Sequence, residues 1–162
     1  MVEHFAQWLQ ATPLSIAIQS TTWLIPLLQS IHIVMIGVVF VSVLLLVLRV
    51  LGIARADEQP AAVWAQFAPW LSGGVSVLAL TGIVLIISEP VREFTSLSFW
   101  LKMLLLALGL ASIAGLGASL RRNAAASRGL ALFTLLLWMA VIFLGRAIAY
   151  DVEVWGALSF KA

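Results

Sequence analysis

Four stretches of the chain keep apolar side chains at nearly every position for about 20 residues or more, the length needed to cross the hydrocarbon core of a bilayer. They run from about Trp23 to Gly52, Pro69 to Ser88, Ser98 to Leu120 and Leu130 to Tyr150. The segments between them, ARADEQPAAV, EPVREFTSL and RRNAAASRG, carry the charges, Pro and Gly that end a lipid-compatible helix. None of these loops is long enough for a soluble domain. The pattern predicts an all-α integral membrane protein, a four-transmembrane-helix bundle in which two helical hairpins are a natural arrangement. Residues 1–21 form an N-terminal segment, 22–152 the bundle and 153–162 a C-terminal tail.

Ahead of the first span, Glu3 to Gln10 (EHFAQWLQ) alternates Phe5, Trp8 and Leu9 with polar residues, as expected of an amphipathic helix lying at the membrane interface. Pro13 is expected to end it. Pro26 falls near the start of the first span, where a missing N–H is tolerated in the first helical turn. The N-terminal residues lack a basic n-region and a small-residue cleavage site, so this segment is expected to stay in the mature protein.

Composition agrees with the pattern: 63% of the 162 residues are hydrophobic, 10% are charged, and the mean hydropathy is +1.12. With no cysteine, a disulfide framework and a thiolate metal site are both excluded. A net charge of +2 does not argue for a nucleic-acid partner, because the basic residues sit where membrane proteins place cytoplasmic charge. Arg49, Arg55, Arg121, Arg122 and Arg128 flank the first and third loops, which predicts that these loops face the cytoplasm. Glu3, Glu89, Glu93, Asp151 and Glu153, with Arg92 and Lys161, then lie on the outer side. The expected location is the bacterial inner membrane, with both termini periplasmic. Trp8, Trp23, Trp100 and Trp155 fit an outer aromatic belt, and Trp64 and Trp70 an inner one.

At about 1.5 Å per residue, His32 lies about 13 Å below the outer edge, Thr81 about 10 Å, and Lys102 and Arg146 about 6 Å. All four spans therefore offer a polar group to the outer leaflet. Gln29, His32, Ser42 and Arg49 trace one stripe on the first span, which predicts that His32 points into the bundle. Gly74, Thr81 and Ser88 form a stripe on the second, and Ala107, Ala111, Gly115 and Ser119 recur every four residues on the third, a spacing that lets helix backbones approach closely. Lys102 and Arg146 are equally compatible with snorkelling to the surface. His32 is too deep to snorkel, and its simplest structural role is a neutral imidazole hydrogen bonded to a neighbouring backbone or to Thr81. Met35, Met103 and Met139 fit as packing residues or as thioether ligands for a soft metal.

The run HIVMIGVVFVSVLLLVLRVLG, the Thr81-Gly82 pair late in the next helix, and SFWLKMLLLALGLA around Lys102 resemble the small bacterial four-helix membrane proteins that include the CopD copper-resistance domain and the HemJ-type protoporphyrinogen oxidases. The ending LGRAIAY, with Gly145, Arg146 and Tyr150, is more similar to an uncharacterised branch of that group. The resemblance spans residues 22 to 150. It implies that His32 is an axial ligand to b haem and that Lys102 serves the same site. The chain departs from the HemJ type in having LVLRVLG where that type carries an aromatic-Pro-Arg signature, and from CopD in being short and poor in His and Met.

Haem requires an axial ligand and cations near the membrane surface for its propionates. His32, with Lys102 and Arg146, supplies that set, and Thr81 is grouped with it; a single-His, five-coordinate haem, or Met103 or Met35 as second axial ligand, is required unless the N-terminal helix with His4 folds inward. Copper is the alternative cofactor, with His32, Met35 and Met103 as the metal ligands, although two nearby cations oppose Cu(I). A third reading is a structural subunit of a membrane complex. The partners these readings imply are the lipid bilayer, a second copy or a membrane-complex subunit, a quinone, or a periplasmic redox protein. No Ser-His-Asp set, paired intramembrane carboxylates or phosphate loop points to an enzyme class, and the catalytic question stays open.

Overall fold

The computed structural model describes residues 1–122 and 127–156; the middle of the third loop and the end of the C-terminal tail, with Lys161, lie outside the described residues. The order of elements is α1 (Val2–Gln10), α2 (Pro13–Ser20), α3 (Leu24–Leu51), α4 (Pro60–Ser88), α5 (Pro90–Phe94), α6 (Leu97–Arg121) and α7 (Arg128–Ala147). A 3-10 turn (Ile148–Tyr150) and α8 (Asp151–Trp155) follow, and the described residues contain no strand. α3, α4, α6 and the stretch from α7 onward are each long and apolar enough to cross a membrane, as in a multi-pass membrane protein. α3 packs most closely on α4 and α6 on α7; contacts of α3 with α7 and of α4 with α6 close the ring. The two expected hairpins are therefore the building units.

The predicted spans match α3, α6 and α7 to within a few residues, and Pro26 sits in the first turn of α3. Two prolines behave differently from expectation. α4 starts at Pro60 and runs on through Pro69, so the second span begins nine residues earlier than its apolar core. The ring of Pro69 removes one backbone bond, which a span packed among other helices can absorb. Pro13 does close off α1, but it does so by opening α2 at the first helical position, with the Thr12 hydroxyl accepting from Ser15 N at 3.3 Å.

The core lies on the side of α3, α4, α6 and α7 where Val39, Val43, Leu46, Val47, Val63, Leu71, Leu116, Leu120, Ala131 and Trp138 meet. Gly74, Thr81 and Ser88, the predicted stripe on α4, are all buried. A Cβ at Gly74 would lie 2.6 Å from Val39 Cγ2, so the two backbones meet at that glycine. The predicted stripe on α6 does the opposite. Ala107, Ala111 and Gly115 are exposed, and the buried face of α6 is Gly109, Ser112, Leu116, Gly117 and Leu120. Gly117 is where α6 receives α4, because the ring of Trp64 fills the space a Cβ would need. Trp64 is thus a wedge between helices, covered by the Arg121 guanidinium 5.7 Å above its ring, and is not a free belt residue.

The short helices gather at one end of the bundle, the end where α3 and α6 begin and α4 and α7 finish. α1 packs on α5, and α2 on α4. The buried Ser15 hydroxyl donates to Ile87 O at 2.8 Å, satisfying a carbonyl that the end of α4 leaves open. Asp151 closes the same end from the C-terminal side. Its carboxylate accepts from Ser96 Oγ at 2.7 Å, Ser98 N at 3.0 Å and Leu97 N at 3.3 Å, which caps the first turn of α6. Trp155 Nε1 adds a bond to Ser98 Oγ at 2.8 Å. Glu89 pairs with Arg92, and the bonds of Asp151 to Ser96, Leu97 and Ser98 join the stretch after α7 to the start of α6.

Two outcomes test this packing. Gly117→Ala is expected to destabilise the bundle by about 1–3 kcal/mol through collision with Trp64, and Trp64→Leu in the same chain should recover part of the loss, as read by unfolding in mixed micelles. Asp151→Ala should cost about 1–3 kcal/mol in the same assay, because it leaves the buried amides of Leu97 and Ser98 without an acceptor.

Candidate functional site

Polar groups from α3, α4 and α6 lie toward the end where α3 and α6 begin, and α7 contributes Gly145. His32 stands two turns into α3 and Thr81 two turns before the end of α4, so antiparallel packing places them at the same depth. His32 Nδ1 lies 2.7 Å from Thr81 Oγ1. Oγ1 in turn donates to Val77 O at 2.8 Å, one turn back along α4. A threonine hydroxyl has a single proton, so both contacts are satisfied together when that proton sits on the Val77 carbonyl and Nδ1 carries its own hydrogen. This network assigns the Nδ1–H tautomer and leaves the Nε2 lone pair uncommitted, the arrangement in which an imidazole serves as a ligand. Gly82, the next residue on α4, lets the imidazole approach: a Cβ there would be 3.6 Å from Cε1.

Lys102, on the second turn of α6, reaches across to α7. A Cβ at Gly145 would be 3.6 Å from Nζ, so the aliphatic stem and ammonium lie along the backbone of α7 where it has no side chain. The charge of Lys102 is close enough to act on His32. It is also felt by Glu93 of α5, which covers the outer end. Among the described residues, Lys102 makes no hydrogen bond and has no carboxylate within the 4.0 Å of an ion pair. A partly buried ammonium in an apolar span without a direct partner is an unusual and costly arrangement.

The remaining predicted residues are placed as follows. Arg146, one residue beyond Gly145, is exposed, and its guanidinium lies 5.6 Å over the Tyr150 ring. Met35 is one turn beyond His32 on α3, with its carbonyl against Gly74, and Met103 is half-buried beside Lys102 in sequence. Among the described residues, no hydrogen bond joins either thioether to His32. Met139 faces outward. His4 is exposed on α1, so the second imidazole of the chain stays outside the bundle. Gln29 is exposed, and Arg49 bonds Glu58 O at the opposite end of α3, so the predicted stripe on α3 contributes only His32 and the buried Ser42 to the interior. No group of three or more His, Cys, Asp or Glu side chains converges among the described residues.

Two residues that sequence reasoning passed over join the picture. The Glu93 side chain is 13% exposed and lies 3.5 Å from Arg92 Nη2. Burial raises its carboxyl above the usual carboxylate range, while Arg92 and Lys102 oppose the rise. Its signal was faint, since a Glu in a short loop reads as solvated. Trp138, about as deep from the outer end of α7 as His32 is from that of α3, has a buried Nε1–H without an acceptor among the described residues; a Cβ at Gly109 would be 3.4 Å from it.

Comparison with protein-family models, with curated proteins and with solved structures gave no match. The site is therefore characterised by its own chemistry: one imidazole nitrogen with a free lone pair, one unpaired ammonium nearer the surface, and a hydroxyl that fixes the imidazole.

The tautomer assignment is open to measurement. In 15N-histidine spectra, His32 is expected to show a protonated Nδ1. Thr81→Val should remove that preference and shift the population toward Nε2–H, with a loss of stability of about 0.5–1.5 kcal/mol.

Proposed function

We propose that this chain is a bacterial inner-membrane protein whose outer-half site holds b haem, with His32 Nε2 as the axial ligand and Lys102 as the cation for a propionate, in electron transfer or tetrapyrrole chemistry. The observation that carries this reading is the bond from His32 to Thr81, which holds the other imidazole nitrogen ready, while Lys102 on α6 has no ion-pair partner among the described residues. The donor set fits such a group in part. It would supply one nitrogen ligand and one counter-charge from different helices. Bound haem supplies a one-electron couple tuned by its axial ligand and by the dryness of its surroundings.

The chain's own residues have defined tasks in this reading. Thr81 fixes the imidazole plane and its tautomer. Gly82 gives His32 its room, and Gly145 gives Lys102 its path toward the centre. Arg146 remains available at the surface for a second carboxylate. The clustering of Arg49, Arg55, Arg121, Arg122 and Arg128 at the far end supports an outer, periplasmic position for the site and both termini. Copper draws less support, because no group of three or more His, Cys, Asp or Glu side chains converges among the described residues and the charge of Lys102 acts on His32.

A visible spectrum of the protein purified in mild detergent tests the reading. A Soret band is expected, lost in His32→Ala and retained with about tenfold weaker haem affinity in Lys102→Met, the loss of one charge-assisted contact. A colourless protein that also fails to take up added hemin would overturn it.

A further inference from the structure

A cavity of about 400 Å³ opens at the end of the bundle where α6 begins, between α1, α5 and α6. Val2 and Glu3 of α1, Phe94 at the end of α5, Thr95, Leu97 and Trp100 line it. Two of its walls are aromatic. The Phe94 and Trp100 ring centroids lie 6.1 Å apart with their planes inclined at 42°. Phe5 of α1 meets the Phe94 ring edge-on at 5.8 Å, and Phe99 meets that of Trp100 at 5.5 Å, so both rings are held in place by further rings. Trp100 Nε1 donates to Phe94 O at 3.0 Å and ties the end of α5 to the first turn of α6. With its N–H committed in this way, Trp100 keeps its π system for a guest but no donor.

Glu3 supplies the charge of the cavity. Its carboxylate makes no ion pair or hydrogen bond among the described residues. The charges of α5 are satisfied locally, since Arg92 pairs with both Glu89 and Glu93. The partial positive charge at the start of α6 is also answered: Leu97 N and Ser98 N donate to Asp151, and Phe99 N to Ser96 Oγ. The cavity is therefore left with one carboxylate and two aromatic quadrupoles, and both kinds of group attract a cation. An anion would be repelled by Glu3. A purely apolar guest would strip water from that carboxylate and replace it with nothing.

We propose that this cavity holds the ammonium head group of a phospholipid from the adjoining leaflet, with Glu3 as the counter-charge and Phe94 and Trp100 as the cation–π walls. Three features select a lipid. The cavity lies at the first turn of a membrane-spanning helix, the level of the head groups. Val2, Phe5, Trp8 and Trp100 are exposed there, an apolar and aromatic rim suited to the interface. The volume falls within the roughly 300–1,000 Å³ of small-ligand sites, enough for a head group whose acyl chains stay in the bilayer. The site uses none of His32, Thr81 and Lys102, so it stands or falls apart from the haem reading.

The full-length protein in maltoside micelles is titrated with dioleoylphosphatidylethanolamine and, separately, with dioleoylphosphatidylglycerol, which has the same chains and phosphate but no ammonium. Native mass spectrometry reads the dissociation constant of the first lipid bound. The ethanolamine lipid is expected to bind about tenfold more tightly, the gain from one partly exposed cation contact. Glu3→Gln should abolish that preference, while Glu153→Gln, an exposed carboxylate on α8 that does not line the cavity, should keep it. Trp100→Leu should abolish it too. Trp100→Phe loses the same bond to Phe94 O but keeps a ring, and should retain most of the preference. Ethanolamine alone at millimolar concentration should not displace the lipid. The inference is overturned if the two lipids bind alike, if Glu3→Gln keeps the preference, or if Trp100→Phe and Trp100→Leu behave alike. Displacement by ethanolamine alone would also overturn it, because the occupant would then be a free amine.

Discussion

The packing of α3 on α4 along Gly74, Thr81 and Ser88 is the constraint on which the outer half depends. At Gly74 the backbones are close enough that Val39 occupies the volume of the missing side chain. From that contact the two helices run together toward the outer end, and two turns further on the spacing is right for an imidazole to reach a threonine hydroxyl. Because the hydrophobic effect does not drive helices together inside lipid, such contacts and interhelical hydrogen bonds decide which faces meet. The position of His32 thus follows from a glycine seven residues from its threonine partner.

A second hairpin brings the charge. α6 and α7 pack closely, and the glycine of α7 at position 145 gives Lys102 a backbone surface on which to lie. The result is one donor nitrogen from the first hairpin and one cation from the second, with α5 and α1 laid over the end where α3 and α6 begin. At the opposite end the loop between α3 and α4 is fastened by Arg55, which pairs with Glu58 and bonds Gln66, while Arg49 bonds the Glu58 carbonyl. These are exposed contacts whose contribution is small, and the stability of that end comes from the apolar cluster and the Trp64 wedge.

The sequence made the spans legible because about 20 consecutive apolar residues leave a helix few alternatives in lipid. The stripe Gly74, Thr81, Ser88 was equally legible, since it combined small size with polarity on one face. The stripe Ala107, Ala111, Gly115, Ser119 had the same spacing and faces outward; small residues four apart allow close approach but do not require it, and Gly109 and Gly117 on the neighbouring face made the contact. Pro69 marked the start of the purely apolar stretch, not the start of the helix. His32, Thr81 and Lys102 could be grouped by depth alone. Arg146 shares their depth but faces outward, a distinction of helix rotation that depth cannot supply. Glu93 and Asp151 were hidden because a carboxylate in a loop looks solvated until the elements that cover it are known.

The bond from Ser15 to the carbonyl of Ile87 joins residues that the chain separates by two whole spans. During synthesis, the first twenty residues emerge long before that carbonyl exists in its final place. The bond can form only once the end of α4 is in place beside them. The N-terminal helices are in this sense the last stone of the first hairpin, and their docking marks the moment at which it is completely inserted.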